Sequence, residues 1–197
     1  EERHIGIHKL LREKLKQTPP GSSGLLCLDW FNGNRSIYND PNLSGLIVGL
    51  TLQTKPEEIY RALMEGTVFG TRRILECMEQ GGVEIGEIVA CGGIARKDDF
   101  MMQMFADVTN RKIRICASTQ APALASAMHA AVAAGASNGG YDSIEQAAAV
   151  MARVLEVEYV PNVENYEKYN RLYQEYLALH DAFGSENGVM KRLRELR

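Results

Sequence analysis

The sequence predicts an α/β fold built in layers, and three observations predict it. Short apolar runs alternate with longer segments of helical periodicity between residues 87 and 134. The changes from one pattern to the other fall at punctuating residues, Gly81-Gly82, Gly92-Gly93 and Pro122. Hydrophobic residues make up 45% of the 197 and charged residues 24%, enough apolar material to enclose a core.

Each element follows in order. Ile7, Leu10, Leu11 and Leu15 stand at helical spacing within residues 4–17. The run from Thr18 to Gly24, with Pro19-Pro20-Gly21, breaks that helix, and Leu25 to Leu28 reads as a strand. Loop residues follow as far as Pro41, with Trp30 and Phe31 as anchors to the core. Thr54-Lys55-Pro56-Glu57 opens a helix, with Thr54 as the cap and Glu57 at the capping-box position. This helix runs to about Gln80. Ile59, Leu63, Val68, Ile74, Leu75 and Met78 supply its apolar side, and Gly66 and Gly70 mark close approach of another backbone.

Glu87 to Cys91 is a strand, Asp98 to Asn110 a helix that buries its methionines, and Lys112 to Cys116 a strand. Pro122 to Ala134 is a small-residue helix, expected to be buried, with His129 inside it. Ser143 and Gln146 form a capping box for the next helix. Val157 to Val160 is a short strand, and Val163 to Phe183 a long helix with Tyr166, Tyr169, Tyr173 and Tyr176 in one stripe. The basic end, Val189 to Arg197, reads as a frayed, solvated helix.

Composition excludes several classes. Lysines and arginines number 22 and acids 25, a formal charge of −3, which argues against a nucleic-acid binder. Cys27, Cys77, Cys91 and Cys116 stand far apart with no CxxC pair, so neither a disulfide scaffold nor a zinc ribbon is expected. A reducing, cytoplasmic setting suits them. Residues 115–141 lack charge, but their polar residues and alanines are too weak for a membrane span. The charged opening residues show no secretory leader. The four histidines have no metal spacing beyond the pair His4/His8.

The most informative local feature is Val89-Ala90-Cys91-Gly92-Gly93-Ile94-Ala95-Arg96-Lys97. A strand ends at two glycines and a helix follows. Without Cβ atoms, such a turn lets a planar base or a phosphate lie against the backbone; it also reads as a plain strand-to-helix turn. Asp29, Asn32, Asn34 and Arg35 form a second polar cluster, read as a structural turn around Gly33.

Taken together, these segments resemble the C-terminal domain of the FGGY carbohydrate kinases. The residues that carry the resemblance are Asp29 to Ser36, Leu43 to Leu52, Pro56 to Leu63, Cys91 to Lys97, Phe105 to Thr109, Gln120 to Leu124, and Leu172 to Tyr176 with His180-Asp181. The form of the 29–36 loop is similar to that of members acting on L-ribulose. The chain departs from the family at Leu124-Ala125-Ser126-Ala127, where Leu-Gly-Ala-Ala is usual.

The resemblance implies an actin-like, ribonuclease-H-like ATPase domain, the C-terminal half of a two-domain sugar kinase. It implies a lead-in helix and linker over 1–24, a nucleotide-binding domain over 25–183 and a tail over 184–197. It implies ATP and Mg²⁺, with Gly92 and Gly93 against the nucleotide, Ala95 and Arg96 shaping the pocket and Lys97 beside the adenine. The implied reaction is transfer of the γ-phosphoryl group to the 5-hydroxyl of L-ribulose. The sugar would sit mainly on an N-terminal domain upstream of this chain, as would the catalytic base, so no catalytic residue is assigned here and the piece alone is expected to be inactive. A relative acting on another sugar or polyol, and a non-catalytic homo-oligomerisation domain built on the tyrosine and alanine helices, are the alternatives.

Overall fold

The computed structural model describes residues 6–16, 18–186 and 188–196. In chain order the elements are α1 (Ile7–Leu15), β1 (Leu26–Leu28), β2 (Leu46–Val48), α2 (Pro56–Gln80), β3 (Glu87–Ala90), α3 (Gly93–Lys97), α4 (Asp99–Thr109), β4 (Lys112–Cys116), α5 (Ala121–Ala134), α6 (Ile144–Met151), β5 (Val154–Tyr159), α7 (Val163–Leu179) and α8 (Val189–Glu195). A 3₁₀ turn follows α5 and a π-helical turn, His180–Gly184, follows α7. His4 and Arg197 lie outside the described residues.

The described residues fall into two compact units. One holds the residues up to Ile85, Asp107–Asn110 and those from Pro161 on; the other holds Gly86–Ala106 and Arg111–Val160. In the first, β1 and β2 pair antiparallel with Cys27 opposite Ile47. The strand pair packs through Leu25, Cys27 and Ile47 against Ala62, Ile59 and Leu63 of α2. Helix α7 covers β1 and α2, burying Tyr169, Tyr173 and Tyr176. Phe69 of α2 meets these three rings at centroid distances of 6.2, 5.8 and 5.5 Å. Tyr169, Tyr173 and Tyr176 are therefore core, while Tyr166 is only partly buried.

Helix α2 starts one residue later than its expected cap. Pro56 occupies the first helical position, so Lys55 is the N-cap, and the Lys55 N–H donates to the Glu58 carboxylate at 2.8 Å. The Thr54 hydroxyl instead accepts from the Thr51 N–H at 2.9 Å, serving the preceding turn. The buried face also differs. Val68 is buried, but Ile74 and Leu75 are only partly covered and Met78 is exposed; Arg61, Glu65 and Arg72 are buried instead.

These charges survive burial because each finds partners. The Arg61 Nε lies 2.6 Å from Glu65, its Nη2 donates to the Tyr169 hydroxyl at 3.0 Å, and its Nη1 donates to the Thr18 carbonyl. Arg72 donates to Glu76 at 2.9 Å and to Asn170 at 2.8 Å, with its guanidinium 4.1 Å above the Tyr173 ring. The Tyr173 hydroxyl completes the set on Glu76 at 2.6 Å. Buried Asp107 plays a similar part: it accepts the Asn162 N–H at 2.9 Å and the Asn165 side chain at 2.8 Å, fixing the start of α7.

Loop 29–41 is a structural turn, as expected. Asn34 and Asp40 exchange both backbone hydrogen bonds, at 2.9 and 2.7 Å. Trp30 is buried and meets Tyr176 and His180 edge-on. Phe31 does not anchor to the core: it is 65% exposed and lies across Gly45. Helix α8 is not a free solvated end either. Lys191 pairs with Asp40 at 2.5 Å and Arg194 donates to the Pro41 carbonyl at 3.0 Å, so the basic residues dock on the loop.

In the second unit, β3 runs parallel to β4 and β4 antiparallel to β5, in the order β3-β4-β5. Ile113 and Ile115 are buried while Lys112 and Arg114 face outward, the period-two alternation of a half-covered strand. Strand β5 begins at Val154, three residues before its expected start. Its central residues are exposed, so apolar alternation could not mark it. The Ser143 hydroxyl caps α6 by accepting the Gln146 N–H, but Gln146 reaches back to the Asp142 N–H rather than to Ser143. Helix α5 packs on α6, yet only Met128 of α5 is buried, and His129 is exposed. The expectation of a buried alanine helix with an internal histidine therefore fails: its alanines place little side chain against any neighbour.

Candidate functional site

The site begins where β3 ends. Parallel strands bring their carboxyl ends to one edge, and crevices for ligands in α/β sheets lie beyond that edge. Ala90 pairs with Ile115, so the residues after Ala90 and those after Ile115 emerge together. Gly92 takes φ +95° and ψ −176°, a conformation essentially confined to glycine. Gly93 then opens α3. A methyl group added to either glycine would meet no atom within 4 Å, so this stretch of backbone borders open space.

The next residues divide the work. Ile94 is 62% exposed, whereas Ala95 is buried and seats the turn. Arg96 reaches across to β4, its Nη2 donating to the carbonyl oxygens of Cys116, at 3.3 Å, and Ala117. Lys97, in the last turn of α3, is exposed. Asp98 joins two helices. Its N–H closes α3 on the Ile94 carbonyl at 3.0 Å, and its carboxylate accepts the Met101 N–H at 3.1 Å to start α4.

A second turn shares this edge. Beyond β4, the Ser118 hydroxyl accepts the Gln120 N–H at 3.1 Å, and α5 begins at Ala121-Pro122 without a side-chain cap. Arg96 ties the first turn to the root of the second. The sequence brought Gly92, Gly93, Ala95, Arg96 and Lys97 together and marked Gln120 within the segment to Leu124, but not Ser118 and Thr119. Their only local signal was a strand end followed by two hydroxyl residues.

The remaining candidates belong to the first unit. Asp29 follows β1 in the first unit, where burial raises its carboxyl above the ordinary aspartate value and a hydrogen bond with Thr67 partly offsets that rise. A surface hollow of about 260 Å³, lined by Asn42, Lys191, Arg194 and Glu195, also belongs to the first unit. Among the described residues, no group of three or more His, Cys, Asp or Glu side chains comes together to hold a metal ion.

Residues 2–134 match the sequence pattern of the C-terminal domain of the FGGY family of carbohydrate kinases. The chain belongs to this family. Among FGGY relatives, it is 56% identical over its whole length to a ribulokinase of Halalkalibacterium halodurans, and 53% identical over 98% of its length to one of Geobacillus thermodenitrificans. It spans 35% of each relative, about a third of their length. Solved FGGY structures agree in fold. A ligand-bound xylulose kinase from Lactobacillus acidophilus superposes with a TM-score of 0.78 at 26% identity, over 89% of this chain and 34% of that one. A xylulose kinase from Rhodospirillum rubrum gives 0.74 at 27% identity, over 88% and 33%. The mixed α/β build thus fits the actin-like ATPase half of a two-domain kinase.

Proposed function

We propose that this chain is the nucleotide-holding part of a ribulokinase, which transfers the ATP γ-phosphoryl group to the 5-hydroxyl of L-ribulose. The observation that carries this reading is the open Gly92-Gly93 backbone at the carboxyl edge of the β3–β4 pair, within the span matched by the family. A base or phosphate approaches such a backbone closely because no side chain intervenes. In this reading residues 25–183 form the nucleotide domain, residues 1–24 lead into it and 184–197 close it. Gly92 and Gly93 lie along the nucleotide, Ala95 seats the turn, Arg96 holds it to β4 and Lys97 stands beside the adenine.

Phosphoryl transfer depends on in-line positioning and neutralisation of charge far more than on covalent chemistry by the protein. This chain's share is positioning. The base that accepts the hydroxyl proton, and most sugar contacts, belong to the two thirds of the relatives' length that this chain does not span. Mg²⁺ bound with ATP neutralises phosphate charge in such reactions. Among the described residues, no group of three or more His, Cys, Asp or Glu side chains gathers to bind it. A cytoplasmic enzyme fits the free cysteines and the absence, among the described residues, of any helix long and apolar enough to cross a membrane.

Turnover assays on the full-length protein test the proposal, with ATP and L-ribulose set against D-xylulose. The expected result is clear preference for L-ribulose, with the 197-residue piece inactive by itself. Equal or better use of D-xylulose would favour the second reading, a relative specific for another sugar, which the fold likeness to xylulose kinases makes the natural competitor.

A further inference from the structure

We propose that Cys91 and Cys116 form a thiol–disulfide pair, a redox modification site at the carboxyl edge of β3 and β4. The register carries the inference. Glu87 pairs with Lys112, Val89 with Arg114 and Ala90 with Ile115, all in parallel. Continued one step past Ala90, where β3 ends, the same parallel offset sets Cys91 beside Cys116 at the end of β4. The two belong to the same face, because alternate residues of each strand share a side. That face is the open one: Val89 is 50% exposed and Arg114 meets Glu87 across it at 3.4 Å, while Ile113 and Ile115 point to the buried side.

Neighbouring strands lie about 4.8 Å apart, and a disulfide needs Cα atoms about 4.4–6.8 Å apart. A pair that keeps the strand spacing falls within bridging range. Cys91 has freedom to adjust, since Gly92 and Gly93 follow it and border open space. All four cysteines are free thiols, and Cys91 is the exposed one. Cys27 is fully buried, and its thiol is pushed up to about 12, chiefly by burial, so it is inert. Cys77 sits on α2 in the first unit.

The chemistry balances with a small-molecule disulfide, glutathione disulfide, as oxidant. The Cys91 thiolate attacks one of its sulfurs, the glutathione S–S bond breaks, and one glutathione leaves as a thiolate that takes up a proton. The Cys116 thiolate then attacks the Cys91 sulfur and expels the second glutathione. Two protein thiols are oxidised by two electrons and one external disulfide is reduced to two thiols. Exposed bridges with imperfect geometry are the easily reduced kind, so the resting state in a reducing cell is the dithiol and the bridge forms under oxidative load. The guanidinium of Arg96, bonded to the Cys116 carbonyl, favours approach of the anionic oxidant.

The test treats native protein with glutathione disulfide, then counts thiols and maps peptides by mass spectrometry. The expected result is loss of two reactive thiols, a peptide linked through Cys91 and Cys116, no retained glutathione at either, and full recovery with dithiothreitol. Cys116→Ser should trap glutathione on Cys91, and Cys77→Ser should leave bridge formation unchanged. Stable glutathione adducts on both residues of the native protein, no reaction at either, or pairing of Cys91 with any other cysteine would each overturn the proposal. The readout does not involve nucleotide, so it stands apart from the kinase reading.

Discussion

A methyl group placed on Gly66 would lie 2.6 Å from the carbonyl oxygen of Cys27. Helix α2 and strand β1 therefore touch backbone to backbone, and glycine is what lets them do so. In an open helix, Gly→Ala gains up to about 1 kcal/mol. Here the helix must move off the strand, an overpacking cost of about 1–3 kcal/mol. Gly66→Ala should lower the denaturation midpoint in urea, and a variant as stable as the parent would show that the contact has slack. At Gly70 the nearest atoms are the Tyr176 hydroxyl and an Asp29 oxygen at 3.6 and 3.7 Å, so Gly70→Ala should be mild by comparison.

The buried Arg61–Glu65 pair should be costly to break from one side. Removing one partner strands the other charge away from water, a loss of about 3–5 kcal/mol. Glu65→Ala should therefore unfold far more readily than the double variant Arg61→Met with Glu65→Leu, which removes both charges. Equal loss in the two, measured by chemical denaturation, would mean that the pair is not the source.

The same carboxyl predicts a pH dependence. Burial raises Glu65 above its ordinary value of 4.5, and attraction to Arg61 offsets only part of this. A raised folded-state value means that Glu65 contributes most below 4.5, and that its contribution declines as pH rises through the higher value. Relative to Glu65→Gln, the parent should lose stability as pH climbs above 4.5. A difference independent of pH between 4 and 8 would contradict this.

Asp40 has the opposite sign. The hydrogen bond from Lys191 lowers its carboxyl below the ordinary 3.8. Its contribution is present above 3.8 and fades as pH falls through the lowered value. Asp40→Asn should loosen α8, seen as faster amide exchange over residues 189–195 at neutral pH. Unchanged exchange would leave the docking of α8 to Arg194 and the apolar contacts.

Arg96 gives the site prediction. Arg96→Met removes the tie to the Cys116 and Ala117 carbonyls while keeping a stem of similar length. In the full-length enzyme the KM for ATP should rise several-fold with kcat little changed, and Arg96→Lys should restore part of the loss. Gly93→Val should also raise the KM for ATP, by placing a branched side chain where the nucleotide would lie. A Gly93→Val enzyme with unaltered ATP dependence would remove this turn from the site.

Much of this was legible in the sequence, for identifiable reasons. Strand β4 could be read to its ends because Ile113 and Ile115 alternate with charged residues, and α2 ends where Gly81 follows Gln80. The buried face of α2 was not legible, because periodicity counts apolar residues and Arg61, Glu65 and Arg72 hide by pairing with one another and with tyrosines on α7. Opposite charges at i and i+4, at 61/65 and 72/76, were the only local sign. The glycine turn announced itself as two glycines after an apolar run. Its neighbour at Ser118 did not, because only strand pairing brings the two turns to one edge.

The dihedral angles at Gly92 make handedness itself the constraint at that position. Every L-amino acid with a β-carbon is strained there, however small, although nothing crowds the space around it. Its mirror image is not: chemical ligation of a D-alanine at position 92 should be accepted where the L-enantiomer is resisted, separating backbone shape from steric room in a way that no ribosomal substitution can.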